Sequence, residues 1–353
     1  MNNKHPTDKI LLPAVFVAGF SIMGVEITAS RLLAPYFGSS LFIWTNIIGV
    51  VMVALSLGYY YGGKIADRNP DFNILLILFL AAGSIFLLIP FITKPLSSLV
   101  LSQLLALDSG SIILFTSSLF VTTILFAFPL FLLAMTSPFV IRLSEIKKTN
   151  AGTTSGKVFA VSTIGSIIGT FLPTLWMIPT LGTRITIFTF AAILIVISLL
   201  GLVRNKVYLL GLAVLLLPVV VLAKQNIKPS PNLIAEDESA YQYIQIIKED
   251  GARYMRYNEG GGVQSIYDKD KIMTGYYYDY YNLLPYLFPE EKRKDIAVIG
   301  LAGGTISRQM NHFFDNIHID GVEIDPEVIR MAKKYMGLNP DNVDLHKRDG
   351  RMF

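Results

Sequence analysis

Three glycines and one acidic residue near the C-terminus have the spacing of a nucleotide-binding turn. Gly300, Gly303 and Gly304 follow the apolar run IAVI, and Glu323 ends the next apolar run about 20 residues later. Gly300 allows a tight turn, while Gly303 and Gly304 let a ligand approach the backbone at the start of a helix. A carboxylate at the position of Glu323 accepts hydrogen bonds from ribose hydroxyls. The pattern predicts a site for a nucleotide or a sulfonium cofactor; the alternative is a structural turn followed by a surface acid.

Ionisable residues within apolar segments form a second set of candidates. Glu26 lies inside the first apolar run, where a charge is costly and by default indicates function. A structural pair with Arg31 or with another helix is an equal alternative. Asp67 and Arg68 end a loop that begins with small residues, and both are expected to form charge contacts at the cytoplasmic face.

Other polar and aromatic residues near the turn have structural interpretations. Asp325 is expected to cap the helix that starts at Pro326. Five tyrosines between positions 276 and 281 are expected to pack as aromatic residues at the start of a helix, and only Tyr277 is assigned to the site.

The glycine turn needs a strand before it and a helix after it, and the apolar periodicity provides both. Strands are predicted at 296–299, 318–323 and 343–346, with helices between them. Residues 241–248 and 253–257 also alternate as strands. They are joined by Glu249-Asp250-Gly251, in which Asp-Gly supplies the positive φ values of a tight hairpin turn.

The periodicity therefore divides the C-terminal third of the chain. We predict a linker at 224–235, a small β-subdomain at 236–290, and an incomplete Rossmann-like α/β domain at 291–353.

Composition separates this third from the rest of the chain, which is predicted to be a helical membrane domain at 1–223. The sequence is 52% hydrophobic and 16% charged, with a mean hydropathy of +0.52. Residues 1–235 carry 15 Lys and Arg against 6 Asp and Glu, whereas residues 236–353 carry 15 against 20. Basic cytoplasmic loops explain the first excess, and no basic face has interleaved aromatic residues. The lipid bilayer is the expected partner, and nucleic acid is not.

Uncharged runs of about 20 residues predict membrane-spanning helices. Seven such runs occur, at 11–33, 41–63, 72–92, 111–141, 158–179, 185–203 and 207–223. The fourth contains Pro129 and Pro138 and is expected to form one tilted, kinked span. Residues 95–107 are too short to cross and are predicted to form an interfacial or re-entrant helix. Gly165 and Gly169 are suited to close contact between helices.

The distribution of Lys and Arg over alternate loops predicts a cytoplasmic N-terminus. Seven spans would then put the C-terminal domain outside the cell, away from cytosolic metabolites. Either one span is miscounted, for instance because residues 95–107 do cross, or the domain faces outward.

The absence of cysteine excludes disulfides, thiolate zinc sites, iron–sulfur clusters and a cysteine nucleophile. No metal site is predicted.

Several short motifs follow one another in the order found in spermidine synthases, and the resemblance covers residues 236–353. They are Tyr241-Gln242, Gly262-Val263-Gln264, Tyr277-Tyr278-Asp279, the turn 300–304, Val322-Glu323-Ile324-Asp325 and Arg348-Asp349-Gly350. That family transfers an aminopropyl group from decarboxylated S-adenosylmethionine to an amine such as putrescine. The resemblance implies that Gln242 and Tyr277 line the donor site, that Glu323 holds the ribose and that Asp349 binds the adenine amine.

The sequence departs from the family pattern in two places. The glycine turn of the family usually contains an Asp that binds the aminopropyl amine, but Gly303 stands there, and Ala302 replaces a glycine. The family's general base and its diamine-binding acids would follow Phe353, so the resemblance assigns no catalytic base to this chain.

The membrane part has a resemblance of its own. The segments GVEITASRLLAPYFGSS, GGKIADR, SPFVIRL and GKVFAVSTIGSIIGTF resemble the fused transporter/spermidine-synthase membrane proteins, with a major-facilitator-like helical domain. Two alternatives to a membrane-bound aminopropyltransferase remain open. One is a polyamine transport or sensing protein with a non-catalytic nucleoside-binding domain, which as half a facilitator would have to pair as a homo-oligomer. The other is a methyltransferase that uses intact S-adenosylmethionine.

Overall fold

The chain folds into two compact units, Met1–Gln225 and Asn226–Phe353. The structure is a computed structural model and describes residues 8–104, 110–145, 151–202, 226–228, 230–258, 262–289, 294–315 and 317–353.

The described part of the first unit is entirely helical apart from short connections. Its helices are α1 (Asp8–Phe37), α2 (Leu41–Arg68), α3 (Phe72–Leu104), α4 (Gly110–Thr122), α5 (Phe128–Ala134), α6 (Thr136–Glu145), α7 (Ala151–Leu172), α8 (Ile178–Leu181) and α9 (Thr183–Leu202). By length and apolar composition they make six candidate membrane spans, because α4 to α6 form one span and α7 with α8 another. These six correspond to the first six predicted runs; the seventh, 207–223, lies outside the described residues.

Residues 95–104 do not form the separate interfacial or re-entrant helix that was predicted. They continue α3, which passes through Pro90 and Pro95 without a break. Proline removes only one backbone hydrogen bond at each position, and membrane helices accommodate that loss. The charge of Lys94, which suggested a boundary, lies about 33 Å from the start of the helix and so near the edge of a hydrocarbon layer about 30 Å thick.

The fourth and fifth candidate spans each accommodate a proline with a π-helical turn. Thr123–Ala127 forms such a turn before Pro129, and Pro173–Met177 forms one before Pro179. Proline has no N–H to donate and its ring crowds the preceding turn, so a wider turn at that point keeps the helix continuous. The fourth run therefore makes one continuous candidate span, and its tilt stays a prediction.

Helices α1 and α7 are packed with their backbones in close contact. A Cβ atom added at Gly165 would lie 2.2 Å from the carbonyl oxygen of Phe16, and one at Gly169 would lie 2.2 Å from that of Phe20. Gly19 of α1 approaches the carbonyl oxygen of Ser162 in the same way. Small residues allow this distance, which confirms the role predicted for Gly165 and Gly169.

The second unit contains two sheets and two helices that share one core. Its elements are β1 (Leu233–Glu238), β2 (Tyr243–Glu249), β3 (Ala252–Tyr257), β4 (Val263–Tyr267), a 3₁₀ helix (Tyr277–Leu287), β5 (Asp295–Ile299), α10 (Thr305–Phe313), β6 (His318–Glu323), α11 (Pro326–Tyr335) and β7 (Asp344–Lys347). Strands β1 to β4 form an antiparallel sheet in sequence order, and β5, β6 and β7 form a parallel sheet in that order. Ile244 and Met255 of the first sheet belong to the same buried cluster as Ile319 of β6 and Met331 of α11.

The hairpin between β2 and β3 has the predicted turn, since Asp250 and Gly251 have φ values of 48° and 89°. The predicted linker is wrong for its last residues. Leu233 and Ala235 already pair with Ile247 and Ile246, so the antiparallel sheet begins inside the segment 224–235.

Candidate functional site

The glycine turn joins β5 to α10 in a backbone conformation that few residues adopt. Gly300 and Gly304 have φ values of 80° and 81°, and Ala302 between them has 50°. The N–H groups of Gly300 and Leu301 both donate to the carbonyl oxygen of Val322. Because left-handed φ values favour glycine, Gly300 and Gly304 are required by geometry, whereas Ala302 is strained.

Gly303 is required for a different reason, which is the lack of space for a side chain. Its N–H donates to the hydroxyl of Ser265 on β4 at 2.8 Å. A Cβ atom at position 303 would lie 2.6 Å from the Cβ of Ser265. An Asp at this point, as in the family pattern, does not fit unless β4 moves. Ser265 was not predicted from the sequence, which gives no sign that β4 packs against the turn.

Glu323 lies at the carboxyl end of β6 and contacts the same turn. Its side chain is 7% exposed, and Oε2 accepts a hydrogen bond from the N–H of Ala302 at 3.0 Å. Oε1 accepts one from the N–H of Asp325 at 3.1 Å. A carboxylate oxygen can accept two hydrogen bonds, so the group retains acceptor capacity for a ligand hydroxyl.

Asp325 caps α11 as predicted and also joins the two sheets. It is fully buried, and Oδ1 accepts from the N–H of Glu327 at 2.9 Å. Oδ2 accepts from the hydroxyl of Ser239 at 2.6 Å and from the amide of Gln242 at 3.3 Å. Gln242 is therefore connected to Glu323 through Asp325, whose N–H donates to Glu323. Ser239 was not predicted, because nothing in the sequence indicates its buried carboxylate partner.

A cavity of about 570 Å³ opens beside the turn. It is lined by β5, by the turn at Gly300–Ala302, by Gln264 and Ser265 of β4, and by the 3₁₀ helix through Tyr277, Tyr278 and Tyr281. Its size is within the range of pockets for small molecules. Of the predicted donor-site residues, Tyr277 and Gly300 line it directly, whereas Gln242, Gly303, Gly304, Glu323 and Asp349 do not.

The tyrosines at the start of the 3₁₀ helix pack on one another, as the rings of Tyr277, Tyr278 and Tyr281 show, but most of them are exposed. Only Tyr278 is buried, at 3% exposure, and its hydroxyl donates to the carbonyl oxygen of Val263 at 2.5 Å. Burial raises the pKa of Tyr278 above its usual value, and neighbouring tyrosines add to the effect. Tyr277 is 54% exposed with its ring 4.1 Å from that of Tyr278. A 3₁₀ helix aligns every third side chain, so a continuous run of rings cannot face one core.

Asp349 lies after β7 and is bound to a neighbour in sequence. Its carboxylate accepts from the backbone N–H of Arg351 at 2.9 Å and pairs with the Arg351 guanidinium at 2.5 Å. The Arg351 guanidinium and the backbone N–H hold the pKa of this carboxyl at about 2. The group is thus charged at neutral pH and available to accept hydrogen bonds.

The membrane-domain candidates separate into different environments. Glu26 is 6% exposed, and its Oε2 has no hydrogen-bond partner within the part of the chain that the structure describes. Asp67 pairs with Arg142 at 3.4 Å, so it does make a charge contact, and its place at the cytoplasmic face stays a prediction. Arg68 ends α2 with an exposed side chain that makes no ion pair to the described residues, and its predicted charge contact stays a prediction.

The loop predicted to end in Asp67 and Arg68 is wrong, because α2 continues to Arg68 and its glycines pack closely against another helix. A Cβ atom added at Gly58 would lie 2.5 Å from the carbonyl oxygen of Phe131, and one at Gly62 would lie 2.7 Å from the Cα of Met135. Helix α2 is thus in close contact with the fourth span.

Part of the chain is similar to curated aminopropyltransferases. A "Probable polyamine aminopropyl transferase" of Bifidobacterium longum (strain NCC 2705) is 33% identical over 122 residues, which is 35% of this chain and 27% of that protein. A "Polyamine aminopropyltransferase" of Vibrio vulnificus (strain CMCP6) is 30% identical over 125 residues, 34% of this chain and 42% of that protein. The chain thus spans less than half of the length of either relative. No family model matches the chain, and no solved structure matches it.

Proposed function

We propose that this chain is a membrane-bound, spermidine synthase-like protein whose second unit binds decarboxylated S-adenosylmethionine. The observation that carries the proposal is that Glu323 binds the backbone of the turn that lines the cavity. A nucleoside lying along the turn would place its ribose beside Glu323. The opposite end of the ligand would then lie beside the tyrosines of the 3₁₀ helix. The names of the two similar bacterial proteins support the same chemistry.

The proposed roles follow the contacts. The backbone at Gly300, Gly303 and Gly304 admits the nucleoside, and Glu323 accepts hydrogen bonds from its ribose hydroxyls. Tyr277 is free to cover the donor, because it lines the cavity and is half exposed. Gln242 holds the network that positions Glu323, and Asp349 accepts from the adenine amine.

In the proposed reaction, an unprotonated amine of an acceptor such as putrescine attacks the methylene carbon bound to the sulfonium. The C–S bond breaks, its electrons return to sulfur, methylthioadenosine leaves, and the attacking nitrogen, now an ammonium joined to the aminopropyl carbon, loses a proton. An alkylamine is mostly protonated at neutral pH, so a carboxylate must accept its proton. Among the described residues, Asp295 is the one carboxylate lining the cavity, and it lies at the far end of β5, about 13 Å from the turn. We therefore assign no base among the described residues.

The proposal is tested by donor binding to the full chain in lipid nanodiscs. Glu323→Gln removes the charge that binds the ribose, and we expect the dissociation constant for decarboxylated S-adenosylmethionine to rise about tenfold or more. Asp341→Asn is the matched control, because this exposed acid lies outside the cavity. An unchanged affinity in Glu323→Gln would contradict the proposal.

A second candidate function is favoured by the environment of Gly303. Since Ser265 leaves no space for an acid there, the turn offers no carboxylate to the aminopropyl amine. A methyltransferase that binds intact S-adenosylmethionine would not need one. Competition between the two donors in the nanodisc assay separates these functions, because tighter binding of intact S-adenosylmethionine supports the methyltransferase.

For the whole chain, we propose a half-facilitator-like membrane domain at 1–223 with a cytoplasmic N-terminus, a β-subdomain at 236–290 and a partial Rossmann-like domain at 291–353. The candidate spans and the parallel sheet support this arrangement. The buried carboxylate of Glu26 favours polyamine transport or sensing as an additional candidate role. Uptake of labelled polyamine into vesicles, abolished by Glu26→Gln, would support that role.

A further inference from the structure

Two neighbouring strands of the parallel sheet carry histidine and aspartate at alternate positions. His318 and Asp320 lie on β6, and Asp344 and His346 lie on β7. The strands pair in parallel with Asp320 opposite Asp344 and Val322 opposite His346. Alternate residues of a strand share one face of a sheet, so all four side chains stand on the same face.

The distances among these side chains suit a metal ion. His318 Nε2 lies 3.6 Å from Asp320 Oδ2 and 3.8 Å from Asp344 Oδ2. Ligand atoms of these three residues all lie within 4.8 Å of one another. Tetrahedral zinc with bonds of about 2.1 Å separates its ligand atoms by about 3.4 Å. The three side chains therefore need to move inward only slightly to hold one ion between them.

His346 fixes one of the three ligands. Its Nε2 lies 2.6 Å from Asp320 Oδ1, and its ring packs on that of Phe353 with 4.9 Å between centroids. With Oδ1 engaged, the other oxygen of Asp320 faces His318. A histidine paired with a ligating carboxylate is a common supporting contact around protein metal sites.

Charge and donor type indicate which ion fits. The carboxylates of Asp320 and Asp344 together neutralise a divalent cation, whereas His318 alone neutralises at most one of them. An imidazole nitrogen among the ligands favours late first-row transition metals, while Mg²⁺ and Ca²⁺ prefer oxygen. The ligands are reached from solvent, since the side chains of His318 and Asp344 are 50% and 68% exposed.

We propose that His318, Asp320 and Asp344 bind a divalent transition-metal ion such as Zn²⁺, with His346 as a positioning residue. The site is structural and ties β6 to β7. It lies at the start of β6, about 16 Å from Glu323 at the end of that strand, and none of its three ligands lines the donor cavity. The proposal does not rest on the proposed function.

The test is titration of the tag-free, metal-stripped full chain in detergent with Zn²⁺ by calorimetry, and with Co²⁺ by visible absorption. We expect wild-type protein to bind one Zn²⁺ and to give the intense Co²⁺ bands of a tetrahedral site. His318→Gln and Asp344→Asn should each weaken binding about tenfold or more. His312→Gln is the matched control, since this exposed histidine lies on α10 outside the cluster.

Several outcomes would overturn the site. These are no Zn²⁺ binding by wild-type protein below millimolar concentration, equal affinity in His318→Gln and wild type, or a preference for Mg²⁺ or Ca²⁺ over Zn²⁺. Equal thermal unfolding of the metal-free variants and the metal-free wild type establishes that lost binding is not lost folding. Zn²⁺ should then raise the unfolding temperature of wild-type protein and not that of His318→Gln.

Discussion

At the scale of single residues, the glycine turn combines two kinds of constraint. Ser265 leaves no space for a side chain at position 303, whereas Ala302 carries its side chain in a left-handed backbone conformation. The Ala302 N–H nevertheless donates to Glu323, so the strained residue supports the carboxylate on which the proposed function depends. Strain at such a position is maintained only when the surrounding contacts determine the conformation.

Ala302→Gly should therefore stabilise the second unit. Removing Cβ relieves a left-handed alanine, and the gain exceeds the extra chain entropy of glycine in the unfolded state, by about 0.5–1 kcal/mol in net free energy of unfolding. Pulse proteolysis of the full chain across a urea series measures this. Ala297→Gly, in the middle of β5, is the matched control and should destabilise instead. A lower urea midpoint for Ala302→Gly would contradict the assignment of strain.

At the scale of elements, Asp279 joins the 3₁₀ helix to the rest of the cavity wall. Its carboxylate accepts from the backbone N–H groups of Thr274 and Gly275 at 2.9 and 2.7 Å. It also accepts from the side-chain amide of Gln309 on α10 at 2.6 Å. Partial burial acts to raise the pKa of Asp279, but these hydrogen bonds outweigh it and lower the pKa below its usual value.

Asp279→Asn should lower stability in a pH-dependent way. A carboxyl whose pKa is lower in the folded state stabilises it above the unfolded pKa of about 3.9, and this contribution is lost as pH falls through the folded pKa. We expect a deficit of roughly 1–2 kcal/mol at pH 7, reduced for solvent exposure, that shrinks below pH 4. Asp268→Asn, an aspartate of the preceding loop, is the control. A deficit that is equal at pH 7 and pH 3.5 would contradict this role.

The elements also differ in how far the sequence predicts them. The bounds of β6 and the hairpin turn at Asp250-Gly251 were predicted correctly, since both depend on local pattern. Strand β1 was missed because Glu236, Asp237 and Glu238 are poor strand formers. Pairing with β2 and a contact between Asp237 and Arg330 hold it instead. Both are long-range contacts that no local pattern reveals.

The same distinction applies to the candidate site. Glu323 and the glycines were predicted by spacing alone, because the strand and turn that position them are contiguous in sequence. Ser265 and Ser239 were not, since both belong to the antiparallel sheet or its first loop, whereas the turn and Glu323 belong to the parallel sheet. The His-x-Asp pattern of β6 and the Asp-x-His pattern of β7 are visible in the sequence. That their side chains lie on one face of the sheet depends on the pairing register of the two strands, which the sequence does not show.

At the scale of the whole molecule, the helical unit depends on close backbone contact between spans that are distant in sequence. Helices α1 and α7 meet through Gly165 and Gly169, and Ser166 Oγ donates to the carbonyl oxygen of Gly19 at 3.3 Å. In a lipid environment, apolar surface gains little from association, so packing and hydrogen bonds of this kind supply the attraction.

Gly165→Leu should accordingly destabilise the helical unit. Its Cβ alone would lie 2.2 Å from the carbonyl oxygen of Phe16, so α1 and α7 must separate, at a cost of about 1–3 kcal/mol or more. The expected result is a lower temperature of thermal aggregation for the full chain in mild detergent. Gly49→Leu is the matched control, because a Cβ at Gly49 meets nothing within 4 Å. If both variants aggregate at the wild-type temperature, close packing of α1 on α7 does not hold this unit together. If the aggregation temperatures of both variants fall equally, the destabilisation comes from adding leucine to a helix and not from the contact between α1 and α7.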